Sequence, residues 1–161
     1  MWRRKANRLN EEGLKTAIRE SILAEKDAMD FYQHAAKKMY NERPRLTFKL
    51  LAREEREHAR SFYDAYRWED LPSFEEMMDI TPDTGSSWWK ELQTTMLGDF
   101  DEEMALSLAM KREQALEQEL RTIADQIEDP DVREVYLRNA RMTHRHLELI
   151  SEDYKLVHPS T

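Results

Sequence analysis

The sequence predicts an all-α fold: an antiparallel bundle of four long helices, with a long crossover between the second and the third. Three observations carry that expectation. Apolar residues recur at helical spacing in four separate stretches. Only 3 Gly and 5 Pro punctuate 161 residues, too few for the turns of a many-stranded sheet. Polar residues that interrupt the first two stretches also return 88 positions later in the other two. The length suits one domain, residues 1–161, large enough to bury a continuous core.

The first helix is expected over about 11–39, where Leu14, Ile18, Ser21, Ile22, Ala28, Met29, Ala35 and Met39 share a face. The second is expected over about 45–68, just after Pro44, with Phe48, Leu51, Ala52, Ala59, Phe62 and Tyr66 inward. A third spans about 101–127 on Leu106, Ala109, Met110, Leu116, Leu120 and Ile123. The fourth starts near Pro130 with Asp129 as its N-cap, and continues to about 156 on Val132, Tyr136, Ala140, Leu147, Ile150 and Tyr154. Short connections near 41–44 and 128–130 make two antiparallel hairpins, about 11–68 and 101–156. Between them, about 69–100 holds Pro72, Pro82, Gly85, Ser86, Ser87, Gly98 and the pair Trp88-Trp89, with a short helix expected around Phe74–Met78. A structureless loop of this length is unusual in a compact domain, whereas a crossover between hairpins requires it. The two tryptophans anchor the crossover on the bundle or bury themselves in a subunit interface; a homodimer is the expectation.

Charge narrows the function classes. A formal net charge of −8 argues against nucleic acid as a partner. The basic start, Trp2-Arg3-Arg4-Lys5 to Arg8, is too short and polar for a signal peptide or a membrane span, and reads as a solvated helix start. With no signal, the expected location is cytoplasmic. No cysteine is present, which removes disulfides, thiolate nucleophiles, iron–sulfur clusters and Cys-bound zinc from these residues. A metal here is held by carboxylates and imidazoles, donors that suit iron, manganese or zinc.

Such donors stand on the apolar stripes. Glu25 lies in the line Ile18, Ile22, Met29, Tyr32, and Glu55 with His58 lies between Leu51 and Phe62. Glu113 falls between Met110 and Leu116, and His146 between Thr143 and Ile150. Burying an unpaired carboxylate costs several kcal/mol in general, so these positions imply a compensating partner. A cation supplies one, and a Glu and His three residues apart project from the same helix face toward it. The spacing doubles: Glu25 to Glu113, Glu55 to Thr143 and His58 to His146 are each 88 residues, and Ala17-Ile18 and Ala52 recur as Ala105-Leu106 and Ala140. The plainer alternatives are a solvated acidic face for Glu55, His58 and Glu113, and a buried ion pair for Glu25. His34 and His158 read as surface histidines.

The stretch Ala24-Glu25-Lys26-Asp27-Ala28-Met29-Asp30-Phe31-Tyr32, followed by Glu54-Glu55-Arg56-Glu57-His58-Ala59, resembles the rubrerythrin-like branch of the ferritin-like superfamily. The resemblance extends from about Leu14 to Tyr154. It implies a ferritin-like bundle with Glu25 and Glu113 as terminal ligands, Glu55 as a bridge, and His58 and His146 as imidazole ligands. Tyr32 corresponds to the tyrosine that lies beside such sites, a catalytic candidate or simply a packed side chain. Iron is the implied metal, and the implied reactions are peroxide reduction or oxidation of ferrous iron, with electrons from an external donor protein.

Three departures qualify the resemblance. Thr143 stands where a second bridging carboxylate belongs, and Leu116 where a further carboxylate one turn after Glu113 belongs. Without cysteine there is no rubredoxin-type relay in these residues. Two metals, one metal or none remain compatible with the remaining donors. Glu117 is a possible replacement ligand; His144 is a poorer one, about 200° around the helix from His146. An oxidoreductase, a metal-binding protein without turnover and a catalytically inactive dimerising scaffold are the competing functions.

Overall fold

The computed structural model describes residues 8–81, 90–91 and 101–158. The Trp88–Trp89 pair and the basic residues from Arg3 to Lys5 lie outside the described residues. Among those described, four long helices and one short one form an all-α bundle without a strand.

Helix α1 (Glu11–Lys38) starts at Asn10, whose side chain accepts the Gly13 amide at 2.8 Å. Glu11 and Glu12 in its first turn and Lys37 and Lys38 in its last complement the helix dipole. Helix α2 (Glu42–Ala65) begins three residues before the expected Arg45 and ends three before Trp68. Pro44 sits inside the first turn instead of preceding it. The amides there have no intrahelical acceptor, so an imino acid loses nothing. The Asn41 side chain does not cap α2; with its backbone amide (3.1 Å) it binds the carboxylate of buried Glu102, which ties the starts of two helices together.

Helix α3 (Phe74–Met78) matches the expected short segment. Ser73 and Glu76 form a capping box, and Phe74, Met77 and Met78 turn inward. Helix α4 (Glu102–Asp125) is capped by Asp101, and α5 (Pro130–Val157) by Asp129, whose carboxylate accepts the Asp131 and Val132 amides. The links 39–41 and 126–129 are short, so α1–α2 and α4–α5 are antiparallel hairpins, and α2 packs on α5 between them. Met110, Ile123, Leu147 and Tyr154, expected in the core, are only half-buried.

The apolar interior divides into two clusters. One gathers Ile18, Ile22, Phe62, Leu120, Tyr136 and their neighbours; the other gathers Phe31, Tyr32, Phe48, Leu51, Leu106 and Ile150. Along α2 the second cluster ends at Ala52 and the first begins at Ala59; along α4 the break lies between Ala109 and Leu116. The polar stripe residues fall in these breaks. They form a buried layer between two greasy ones. None of the described helices is long and apolar enough to cross a membrane.

Candidate metal centre

Helical phase determines the layer. Glu25 shares the α1 face with Ile18 and Ile22, so the packing that buries those side chains buries its carboxylate also. Glu55 and His58, one turn apart on α2, face Glu113 of α4 and His146 of α5. All five are buried, with Glu55 and Glu113 completely inaccessible. That disposes of the solvated-face alternative for Glu55, His58 and Glu113. Adjacent Lys26 pairs with buried Asp30, and the charged group facing Glu25 is His58, whose Nδ1 is 3.6 Å from its Oε2.

The donors converge. One ligand atom each from Glu55, His58 and His146 lies within 4.8 Å of the others, a group able to hold a metal ion. The two oxygens of Glu55 face opposite ways. Oε1 is 2.9 Å from His146 Nδ1, which in turn is 3.9 Å from Glu113 Oε1. Oε2 is 3.9 Å from His58 Nδ1, which is 3.6 Å from Glu25 Oε2. The two imidazoles stack at 5.2 Å with an 8° interplanar angle.

Most of these atoms lack hydrogen-bond partners among the described residues: both oxygens of Glu25 and Glu55, Oε2 of Glu113, both nitrogens of His58 and Nδ1 of His146. Buried polar atoms are almost always satisfied in folded proteins, so a concentration of orphans in one layer calls for a ligand that the protein atoms do not supply. Three carboxylates and two imidazoles are a donor set for a first-row divalent metal. The residues fit such an ion.

Electrostatics agrees with a site that exchanges protons for metal. Burial, with Glu25 and Glu113 nearby, pushes the Glu55 carboxyl well above its usual range. Burial also lifts Glu113 to about 8, against the Tyr32 hydrogen bond that pulls it down. Burial would raise Glu25 as well, but neighbouring Glu55 and His58 outweigh it and hold Glu25 low. Desolvation lowers His58, yet adjacent Glu25 turns its net shift upward. Desolvation and the charge of His58 keep His146 low. The metal-free layer therefore favours the charged forms of Glu25 and His58 and the neutral forms of Glu55, Glu113 and His146.

Two groups orient the ligands. The Tyr32 hydroxyl donates to Glu113 Oε1 at 2.5 Å, so Tyr32 stands beside the centre as the resemblance implies. Glu54 takes His146 Nε2 at 2.5 Å and leaves Nδ1 facing the layer. Sequence reasoning missed Glu54 because it is 100° around the helix from Glu55 and reads as solvent-facing. Glu117 is not a replacement ligand: its carboxylate turns outward to His144 at 2.8 Å and toward Arg121. Four residues advance a helix 400°, and the 40° overshoot carries Glu117 off the inward face of Glu113. Thr143 is fully buried at the expected position, its hydroxyl donating to the Asn139 carbonyl at 2.8 Å. His144 and His158 are exposed, and His34 Nδ1 lies 2.7 Å from the Asp30 carbonyl oxygen.

The family model for rubrerythrin matches residues 16–154. This chain belongs to the rubrerythrin family. The match runs from the first turns of α1 almost to the end of α5, so this rubrerythrin-family chain contributes all four long helices to it. No curated protein and no solved structure matches the chain significantly.

Proposed function

We propose that this rubrerythrin-family protein binds iron between its hairpins and acts as a non-haem iron oxidoreductase on hydrogen peroxide or on ferrous iron. The observation that carries the reading is the buried layer in which Glu55 turns one oxygen toward Glu113 and His146 and the other toward Glu25 and His58. In this reading Glu25, Glu55, His58, Glu113 and His146 are the ligands. Bound iron supplies one-electron redox steps, two of which reduce peroxide to two waters with two protons.

The protein residues have separate tasks. Glu55 and Glu113 release their protons as they take up cationic charge. Glu54 fixes the tautomer of His146, and Tyr32 holds Glu113 in place while keeping a proton next to the site. The apolar clusters on either side limit bulk water. With no cysteine among these residues, the electrons in this reading are supplied from outside them by a donor protein. A homodimer in the cytoplasm completes the proposal.

Thr143 supports a second reading. With a hydroxyl in place of a second bridging carboxylate, the same donors bind metal without multiple turnover. One experiment separates the two. Protein purified without tag or chelator is analysed for metal, loaded with ferrous iron, and assayed for peroxide consumption with a chemical reductant and for dioxygen-dependent iron oxidation. The oxidoreductase reading expects iron and sustained turnover in one assay. Iron without turnover leaves the binding protein, and no metal bound under any loading removes both.

A further inference from the structure

Each half of the layer can be compared with its own internal duplicate. Glu113 receives the Tyr32 hydroxyl at 2.5 Å, and His146 has Glu54 at 2.5 Å behind its Nε2. The residues 88 positions on from those supports would serve Glu25 and His58. They are Leu120 for Tyr32 and Met142 for Glu54, neither able to accept or share a proton with a carboxylate or imidazole as the originals do. Thr143, the counterpart of Glu55, is a change at the bridge itself and not at a support. Leu120 and Met142 both fall on the Glu25–His58 half, whereas Thr143 takes the bridging place that the two halves share. Accordingly, both oxygens of Glu25 and both nitrogens of His58 have no hydrogen-bond partner among the described residues.

The same half is the one near solvent. A cleft of about 250 Å³ between α2 and α5 is lined by His58 and Met142, with Glu54, Glu57 and Arg138 among its other walls. His146, although held by Glu54, does not line it. An ion approaching His58 through this cleft passes two carboxylates and one guanidinium.

We propose that the centre is unequal by construction: a retained cation position at Glu113, His146 and Glu55 Oε1, and an exchangeable one at Glu25, His58 and Glu55 Oε2, reached through the α2–α5 cleft. This rests on the metal-binding reading above and adds which half fills first and which half trades its ion with solution. The ligand class is a first-row divalent cation. Groups that hydrogen-bond to metal ligands orient them and raise their basicity, and losing one typically costs 10–100-fold in affinity. The two positions should therefore differ by at least about 10–100-fold.

Cobalt(II) titration of the metal-free full-length protein tests this, read by its visible absorption bands and by calorimetry. Two phases are expected, and brief treatment with nitrilotriacetate should strip the weaker one first. His58→Ala should delete the weak phase and spare the tight one, whereas His146→Ala should delete the tight phase. Met142→Glu places a carboxylate on the cleft side of His58 and should tighten the weak phase about 10–100-fold. That position is half-buried beside the cleft, so Met142→Glu decides the matter even if a histidine variant fails to fold. Equal affinities, the reverse order, or no response to Met142→Glu would overturn the inequality while leaving the metal centre intact. Cobalt bound at neither position would overturn both.

Discussion

Among individual residues, Glu55 has the central place in the layer, since of the described carboxylates it is the one whose oxygens lie within 4 Å of both His58 and His146. Glu55→Ala should abolish most iron binding, measured as metal content after loading and desalting. Thr143→Glu should do the opposite: iron retained after desalting should rise toward two per chain, and added ferrous iron should oxidise faster. It should also destabilise the metal-free protein, since it loses the Thr143–Asn139 hydrogen bond and buries another carboxyl without a partner. If Thr143→Glu folds yet retains no more iron, and Glu55→Ala retains all of it, these residues are not ligands. Glu25, Glu55, His58, Glu113 and His146 were legible in the sequence because a charged group on an apolar stripe has few inexpensive explanations. Glu54 was not legible. Its neighbours Arg53 and Glu57 have the same charged look, and only tertiary placement shows which of them reaches an imidazole on α5. Glu117 misled for the converse reason, as near-correct spacing does not reveal an outward partner such as His144.

Among the helices, boundaries followed local chemistry wherever a cap was complete. Asp129 and Pro130, Asp101, and the Ser73–Glu76 box each mark a start that sequence alone can place. The start of α2 was misplaced because its flanking Asn41 gives its side chain to Glu102, a contact 61 residues away that no local rule contains. Likewise, α2 ends at Ala65, and Tyr66 continues inward as extended chain, its hydroxyl held by Asp70 at 2.5 Å and Arg19 at 3.1 Å. Capping gives a direct test. Asn10 accepts the Gly13 amide at the head of α1, the helix that carries Glu25 and Tyr32. Asn10→Ala should cost about 1 kcal/mol, which lowers Tm by about 2–4 °C in a chain of this size. Differential scanning calorimetry of the metal-free protein would detect the shift, and metal stoichiometry should not change. An unchanged Tm would mean that α1 is held by packing alone.

For the whole molecule, the buried layer makes stability depend on pH in a direction opposite to that of most surface carboxylates. In the metal-free fold Glu113 keeps its proton to about pH 8, and Glu55 keeps its own well above the usual carboxyl range. The unfolded chain releases both above about pH 4.5. Unfolding then releases protons, so stability falls as pH rises between those limits. His58 adds to the fall: with its folded pKa raised by Glu25, the stability it contributes is present below 6.5 and is lost as pH climbs through the folded value. His144 is shifted upward by Glu117 and acts in the same direction. His146 acts the other way, but its depressed pKa matters mainly below 6.5. Between pH 6.5 and 8.5 the two carboxyls, His58 and His144 share one sign, and the opposing tail of His146 fades as the unfolded imidazole loses its proton. One fully buried group of this kind contributes about 1.4 kcal/mol per pH unit, so the metal-free protein should lose roughly 5–10 °C of Tm across that interval. Zinc or ferrous iron should reverse the trend, because a cation replaces the very protons whose retention becomes unfavourable, and it does so more readily as pH rises. Thermal unfolding with and without metal at pH 6.5, 7.5 and 8.5 gives both slopes. A metal-free Tm that stays level or climbs toward pH 8.5 would show that the carboxyls are not held protonated together, and that the layer is satisfied in some way other than by exchanging protons for metal.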